Sequence, residues 1–116
     1  MVTILAGTAL DITLEQKKQL VERVSSAISK INSEYSFFYS GAPVGSANGT
    51  ANNQVTYYVF MPESAPKDQR RAIVKALTDQ TIEVIGFRGP RKVIVIFKYF
   101  QKGTLGVGGK LCTDMM

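Results

Sequence analysis

The chain contains no histidine, and this absence removes several classes of enzyme at once. A Ser-His or Cys-His nucleophile cannot be built, and the commonest acid–base side chain at neutral pH is missing. The single cysteine, Cys112, excludes an internal disulfide and leaves too few ligands for a zinc site. We therefore expect neither a metal nor a cofactor, and we assign no role to Cys112.

Long hydrophobic runs are also missing. No apolar stretch approaches the roughly 20 residues that a membrane span requires, and no basic segment precedes an apolar one at the amino terminus. We therefore expect a cytoplasmic protein with no membrane partner. With 116 residues, 45% of them hydrophobic and 20% charged, the chain has the composition of one globular domain. Its net charge of +5 favours anionic partners, although solubility alone explains it equally well.

The first forty residues predict a strand, a helix and a further segment that is either strand or loop. Residues 2–6 are apolar and indicate a short buried strand. Thr13 and Gln16 have the spacing of a capping box, which predicts a helix over about 14–31. Its predicted inward stripe consists of Leu14, Leu20, Val21, Val24, Ala27, Ile28 and Ile31.

The second half repeats this pattern after a segment rich in glycine, serine and asparagine. That segment, about 41–54, predicts a loop. β-Branched and aromatic residues predict a strand over 55–61, and an apolar run predicts another over 92–100. Between them lies a predicted helix that ends near Val84, with Ser64 as its cap, Pro66 in its first turn and Gly86 as its stop.

This order predicts an α/β (α+β) fold of duplicated β-α-β units. Two helices would pack on one face of a roughly four-stranded sheet. We expect one domain, 1–116, with a first repeat over about 2–40 and a second over 55–111. The strands are apolar on both faces, so the face without helices needs another cover, and other subunits are the expected one.

The tail of the chain carries the most distinctive motif. Four glycines fall within seven residues between Gly103 and Gly109, directly after the last predicted strand. An initial strand, a helix that opens Leu-Glu-Gln-Lys-Lys, a second apolar strand and a K-G-x-x-G-x-G-G tail resemble the tautomerase superfamily, the 4-oxalocrotonate tautomerase-like group. The resemblance implies a fused two-repeat form that assembles as a homotrimer. It also implies a cofactor-free, isomerase-type activity on a small anionic 2-oxo or enol acid.

The resemblance assigns the functional residues of the family to this chain position by position. The amino-terminal proline that serves the family as catalytic base falls on Val2, and its counterpart in the second repeat falls on Val55. If Met1 is removed, Val2 presents a primary amine in its place, and model amino termini titrate near ~7.7–8.0. While Met1 is retained, the amine lies one residue away.

The substrate-binding positions of the family are altered more strongly. The two arginines before the helices fall on Ile12 and Ala65, and the arginine of the last strand falls near Ile94. The aromatic residue of the tail falls on Leu105, while Lys102 and the glycines match. The resemblance therefore implies a retained scaffold whose proton-transfer and carboxylate-binding residues have changed.

Lys98 interrupts the last apolar strand on the face of Ile94 and Ile96. It either lines a substrate pocket, together with Lys102 and Leu105, or marks the strand's exit into solvent. Two functions remain open: a small-molecule enzyme with Val2 as its base, and a non-catalytic protein of the same fold that binds a ligand or partner. A nucleic-acid-binding domain is a more distant alternative, because the sheet motif of RNA-recognition domains is missing.

Overall fold

A computed structural model describes residues 1–8, 10, 12–41, 54–86 and 93–115. The predicted loop therefore lies, over residues 42–53, outside the described residues, as does Lys92 at the predicted start of the last long strand. The elements are β1 (Val2–Thr8), α1 (Leu14–Ser29), β2 (Tyr35–Gly41), β3 (Val55–Pro62), α2 (Lys67–Ile85), β4 (Val93–Phe100), β5 (Gly106–Val107) and β6 (Lys110–Leu111).

Four strands form one mixed sheet in the order β2-β1-β3-β4. The central pair, β1 and β3, is antiparallel, whereas β2 runs parallel to β1 and β4 runs parallel to β3. Each outer pair is joined through a helix, as a parallel connection requires. The predicted fold of duplicated β-α-β units is confirmed, and the segment that begins at Tyr35 is a strand.

The core lies between the sheet and the two helices. Alternate residues of β1 and β3 are buried because successive side chains of a strand point to opposite faces. They pack against inward residues of both helices. The largest members of this core are Ile4, Tyr57, Met61, Leu20, Ile28, Ile73 and Leu77.

Helix α1 begins as the sequence predicts but buries a narrower stripe. The amide of Gln16 donates to Thr13 Oγ1 at 3.1 Å, and the amide of Thr13 donates to Gln16 Oε1 at 2.9 Å, which completes the capping box. The buried residues are Leu20, Val24 and Ile28, one ridge at intervals of four. The prediction that Leu14 and Val21 point inward is wrong, because they lie off this ridge; Leu14 is 68% exposed.

Helix α2 begins after Pro66, which is extended with φ −63° and ψ 147° and provides no side-chain cap. The prediction that Ser64 caps this helix is wrong. A proline disfavours the helical conformation in the residue before it, so the helix cannot include Ala65. The predicted stop is confirmed, since Gly86 adopts the left-handed conformation with φ 79°. Neither of these helices is long and apolar enough to cross a membrane.

The face of the sheet opposite the helices carries an apolar row. Leu5 is paired with Tyr58 across β1 and β3, and Tyr58 is paired with Ile96 across β3 and β4. These three side chains are 40%, 40% and 37% exposed. We call this surface the helix-free face. No helix or strand of the described chain covers the row, so three large apolar side chains remain partly exposed next to one another.

The glycine-rich tail forms a hairpin of β5 and β6. Gly108 and Gly109 occupy its turn with φ 60° and 87°. Positive φ at both central residues is the geometry of a type I′ turn, which suits two-residue hairpins and favours glycine. Gly103 and Gly106 do not have positive φ, so only the second half of the motif requires glycine for its backbone conformation.

Candidate functional site

A cavity of about 710 Å³ opens where the start of β1 meets the ends of β3 and β4. We call it the terminal cavity. Strand register explains its position. Thr3 is paired with Phe60 in the antiparallel pair, which brings Met1 beside Pro62, and Pro62 is paired with Phe100. Its lining consists of Met1, Pro62, Glu63, Ser64, Phe100, Gln101, Lys102, Leu105 and Cys112.

The residues after β4 close the cavity with a short turn. The amide of Gln101 donates to Thr104 Oγ1 at 3.1 Å, and the amide of Thr104 donates to the carbonyl of Gln101 at 3.0 Å. The amide of Cys112 donates to the carbonyl of Leu105 at 2.8 Å and holds the last residues against the turn. This local structure places Lys102 and Leu105 on the same wall.

The cavity combines apolar walls with a few charged groups. The ammonium group of Met1 lies 3.9 Å from the carboxylate of Glu34, which is 80% exposed. Among the other lining residues, Gln101 Nε2 donates to Glu63 Oε2 at 3.2 Å. Lys102 adds a second cation to the lining. Such a mixture of apolar surface and few polar groups is typical of small-molecule sites.

Val2 lies beneath Met1, in the sheet. Its side chain is fully buried, and its amide donates to the carbonyl of Glu34 at 2.8 Å. It does not line the terminal cavity while Met1 precedes it; Met1 does. The residue at the cavity wall in this structure is therefore Met1, whose ammonium group pairs with Glu34.

The other predicted site residues divide into two groups. Lys102 and Leu105 line the terminal cavity together. Lys98 does not line it, but is exposed on the helix-free face, opposite Phe60 and two residues before Phe100. Two residues along a strand span about 7 Å, so Lys98 lies one row away from the cavity wall.

The positions that correspond to family arginines carry no charge. Ile12 is buried directly before α1, and Ala65 is half-buried directly before α2. Ile94 is half-buried in β4. Because all three side chains are aliphatic, none can pair with a carboxylate, and among the lining residues the positive charge comes from Lys102 and the amino terminus.

A family model described as "Tautomerase enzyme" matches residues 58–115, half of the chain. The chain belongs to the tautomerase family. A structure of Pt0534 inactivated by 2-oxo-3-pentynoate is 27% identical, with a TM-score of 0.77 and coverage of 98% of this chain and 97% of that one. No curated protein matches the chain.

More distant tautomerase-like structures share the fold. The R7 fused 4-OT asymmetric trimer is 16% identical with a TM-score of 0.79, and it covers 97% of this chain and 98% of that one. Malonate semialdehyde decarboxylase is also 16% identical, with a TM-score of 0.70 and coverage of 97% and 95%. At these identities the similarity shows the fold of a fused tautomerase subunit.

Sequence reasoning did not identify most residues of the terminal cavity. Met1, Pro62 and Phe100 come together only through the pairing of β1, β3 and β4. The tail motif pointed to Lys102 and Leu105, and Pro62 directly after an apolar strand is a further local signal for this end of the sheet. Cys112, to which we assigned no role, lies in the cavity wall.

Proposed function

We propose that the terminal cavity binds a small 2-oxo or enol acid and that the chain tautomerises it with its amino-terminal amine as base. The observation that carries this proposal is the meeting of the amino terminus and Lys102 on the wall of a largely apolar cavity. The activity would need no cofactor. In our proposal the chain is a single domain of two repeats that works in the cytoplasm.

The ligand class is supported by the relative that most resembles this chain among those described above. Pt0534 is inactivated by 2-oxo-3-pentynoate, a carboxylate with a ketone beside it. Lys102 would pair with the carboxylate, and a charge-assisted hydrogen bond of this kind is stronger than one between neutral groups. Leu105 and Phe100 would contact the carbon skeleton.

The base would be the amine of Val2 after removal of Met1. Val2 nitrogen already lies 2.8 Å from the carbonyl of Glu34, which can hold one hydrogen of a free amine and orient its lone pair. The amine would take the hydroxyl proton of an enol acid, and the resulting ammonium would deliver a proton to the neighbouring carbon, which gives the 2-oxo acid and restores the amine. When Met1 is retained, Met1 lines the cavity and Val2 does not.

Assembly into a homotrimer would complete the site. The uncovered row of Leu5, Tyr58 and Ile96 needs an apolar partner, and a fused 4-OT relative forms a trimer. Pro62 and Phe100 lie at the end of this same face. A neighbouring subunit on the helix-free face would therefore border the terminal cavity, and Lys98 would lie at that border.

A non-catalytic role in the same fold is the second candidate. Ile12, Ala65 and Ile94 take the places of family arginines, so polarisation of a substrate carbonyl would rest on fewer groups. Such a chain would still bind a small acid or a partner. Nucleic-acid binding is the most distant alternative, and a salt-sensitive shift with oligonucleotides would favour it.

A ketonisation assay with phenylenolpyruvate separates these functions. Two preparations, one with Met1 and one beginning at Val2, are defined by mass spectrometry. Activity in the Val2 form alone supports the amine as base. Activity that is equal in both forms contradicts a role for Val2. Saturable binding of phenylpyruvate without turnover in either form supports the non-catalytic candidate.

A chemical probe tests the amine independently of turnover. The alkyne of 2-oxo-3-pentynoate is conjugated with a ketone and can accept an amine. A nitrogen–carbon bond forms while the amine proton moves to carbon, so the chain gains the whole mass of the acid. We expect this adduct at Val2 in the processed form. An adduct found at Lys102 instead would move the base to that residue.

A further inference from the structure

A second cavity lies between the outer side of α2 and the edge strand β4. Its volume is about 520 Å³, and it shares no lining residue with the terminal cavity. We call it the α2 cavity. Its lining consists of Lys67, Arg70, Arg71, Val74, Lys75, Thr78, Asp79 and Phe97. The helical members recur at intervals of three and four residues, so they form one stripe on consecutive turns of α2.

Positive charge is concentrated in this stripe. Four lining residues are cations and one is an anion. Lys75 Nζ pairs with Asp79 Oδ2 at 2.6 Å, and Arg71 Nη1 pairs with Asp68 Oδ1 at 3.3 Å. Within the part of the chain that the structure describes, Lys67 and Arg70 have no carboxylate partner. The α2 cavity therefore contains two cations that are not neutralised by an acid among the described residues.

Arg70 is held in place by an aromatic side chain. Its Nη1 donates to the hydroxyl of Tyr99 at 2.9 Å, and its Cζ lies 5.7 Å from the centre of the Tyr99 ring. Tyr99 is in turn stacked on Phe97, with ring centres 6.4 Å apart and planes 8° from parallel. Tyr99 thus orients the guanidinium, and no carboxylate is needed for this. An anion that binds Arg70 therefore costs less conformational entropy than one that binds a freely rotating side chain.

One donor of Arg70 has no acceptor. Its Nε is buried from solvent and forms no hydrogen bond with the described residues. A buried donor without a partner raises the free energy of the site. Because Tyr99 accepts a hydrogen bond from Nη1, Nε and Nη2 are the two nitrogens of the guanidinium that remain for a two-pronged contact with an anion.

We infer that the α2 cavity binds a small phosphorylated molecule with an apolar or aromatic portion. A phosphate monoester carries close to two negative charges near neutral pH and offers several acceptors, which matches Lys67 and Arg70 better than a single carboxylate does. Thr78 adds a hydroxyl to the lining. Val74 and Phe97 provide an apolar wall for the remainder of the ligand, and the volume exceeds what phosphate alone requires.

Phenyl phosphate is the probe, since it combines the phosphate with one aromatic ring. We expect saturable binding of one molecule per chain by calorimetry, with weaker binding of inorganic phosphate and none of phenol. Amide resonances of the Lys67–Lys75 turns and of Phe97 should shift in NMR spectra. Shifts confined to Phe100, Lys102 and Leu105 would place the probe in the terminal cavity and overturn the inference.

Variants that each remove one positive charge test the roles of Lys67 and Arg70. Lys67→Gln and Arg70→Gln should each weaken binding by roughly tenfold or more, the effect of losing one charge-assisted hydrogen bond. Arg70→Lys should weaken it less. Lys18→Gln, an equal change on the exposed side of α1, should alter it by less than about twofold, because that charge acts only through screened attraction. Lys67 is exposed at the start of α2, so its variant keeps the test independent of folding.

Three outcomes would overturn the inference. The first is no saturable binding, and the second is an equal loss in the Lys18 variant, which would indicate general attraction between charges. The third is tighter binding of an oligonucleotide than of phenyl phosphate through Lys67 and Arg70. That result would indicate a nucleic-acid-binding surface. None of these results depends on tautomerase activity, so this inference and the proposed function fail separately.

Discussion

The phenol oxygen of Tyr57 on β3 lies 2.5 Å from the hydroxyl oxygen of Thr81 on α2, inside the core. Thr81 donates its one hydroxyl proton to the carbonyl of Leu77 at 2.6 Å. The proton between the two side chains must therefore come from Tyr57. This directed chain of hydrogen bonds joins the central sheet to the second helix where both residues are fully buried.

Thr81→Val should destabilise the chain more than Tyr57→Phe. The valine removes the acceptor of a buried phenol, which costs about 1–3 kcal/mol of unfolding free energy, whereas the phenylalanine removes one net hydrogen bond worth about 1 kcal/mol. Urea denaturation measures both. The double variant should lose less free energy of unfolding than the sum of the two single losses. Once Thr81→Val has removed the threonine acceptor, Tyr57→Phe removes a hydroxyl that no longer forms this hydrogen bond. Additive losses would contradict the hydrogen-bond chain.

Leu5→Asp should disrupt self-association without unfolding the subunit. Leu5 is exposed in the subunit but would be buried between subunits of the proposed trimer, and an unpaired buried charge costs several kcal/mol. Sedimentation velocity measures the loss of the larger species. Leu14→Asp is the matched control, since Leu14 is more exposed and lies on the helical side of the molecule. An unchanged sedimentation coefficient for the Leu5 variant would place the interface elsewhere.

Local signals were enough to predict most elements of the fold. The capping box of Thr13 and Gln16 depends on residues three apart, and Gly86 ends its helix through its own backbone conformation. The turn at Gly108 and Gly109 likewise depends on glycine alone. These features follow from short-range chemistry, so a single sequence contains the information that specifies them.

Features that depend on strand pairing could not be predicted in the same way. Helical periodicity assigned Leu14 and Val21 to the core, but the position of α1 over the sheet decides which ridge is buried. The terminal cavity depends on the antiparallel register that brings Met1 to Pro62. The pairs that define the register between β1 and β3 are 47 to 57 positions apart, so the register depends on how the hydrophobic faces of two distant strands pack together.

Gly109→Ala should destabilise the tail hairpin, whereas Gly103→Ala should not. Gly109 has φ 87°, and a residue with a side chain pays about 1–2 kcal/mol in this left-handed region. Gly103 does not have positive φ, and a methyl group there would meet its nearest heavy atom, Thr113 Cγ2, at 3.9 Å.

Hydrogen exchange of the amides in β5 and β6 measures the effect at Gly109. Faster exchange confined to Gly106, Val107, Lys110 and Leu111 is expected, with the central sheet unchanged. Equal exchange in the two glycine variants would contradict the turn geometry. If the hairpin contributes to assembly, the Gly109 variant will also dissociate into subunits at a higher protein concentration than the Gly103 variant does.

Lys102→Gln should weaken binding of 2-oxo acids far more than Lys110→Gln. Both residues are exposed lysines of the glycine-rich tail, but only Lys102 lines the terminal cavity. Loss of a charge-assisted hydrogen bond of about 1.5–3 kcal/mol raises the Kd for phenylpyruvate by roughly tenfold or more. Calorimetry measures the affinity, and urea denaturation of the same variants separates lost binding from lost folding. Because the glutamine removes the charge but keeps a polar side chain only one atom shorter, an unchanged Kd would exclude Lys102 as the partner of the carboxylate and leave the amino terminus as the remaining cation in the cavity lining.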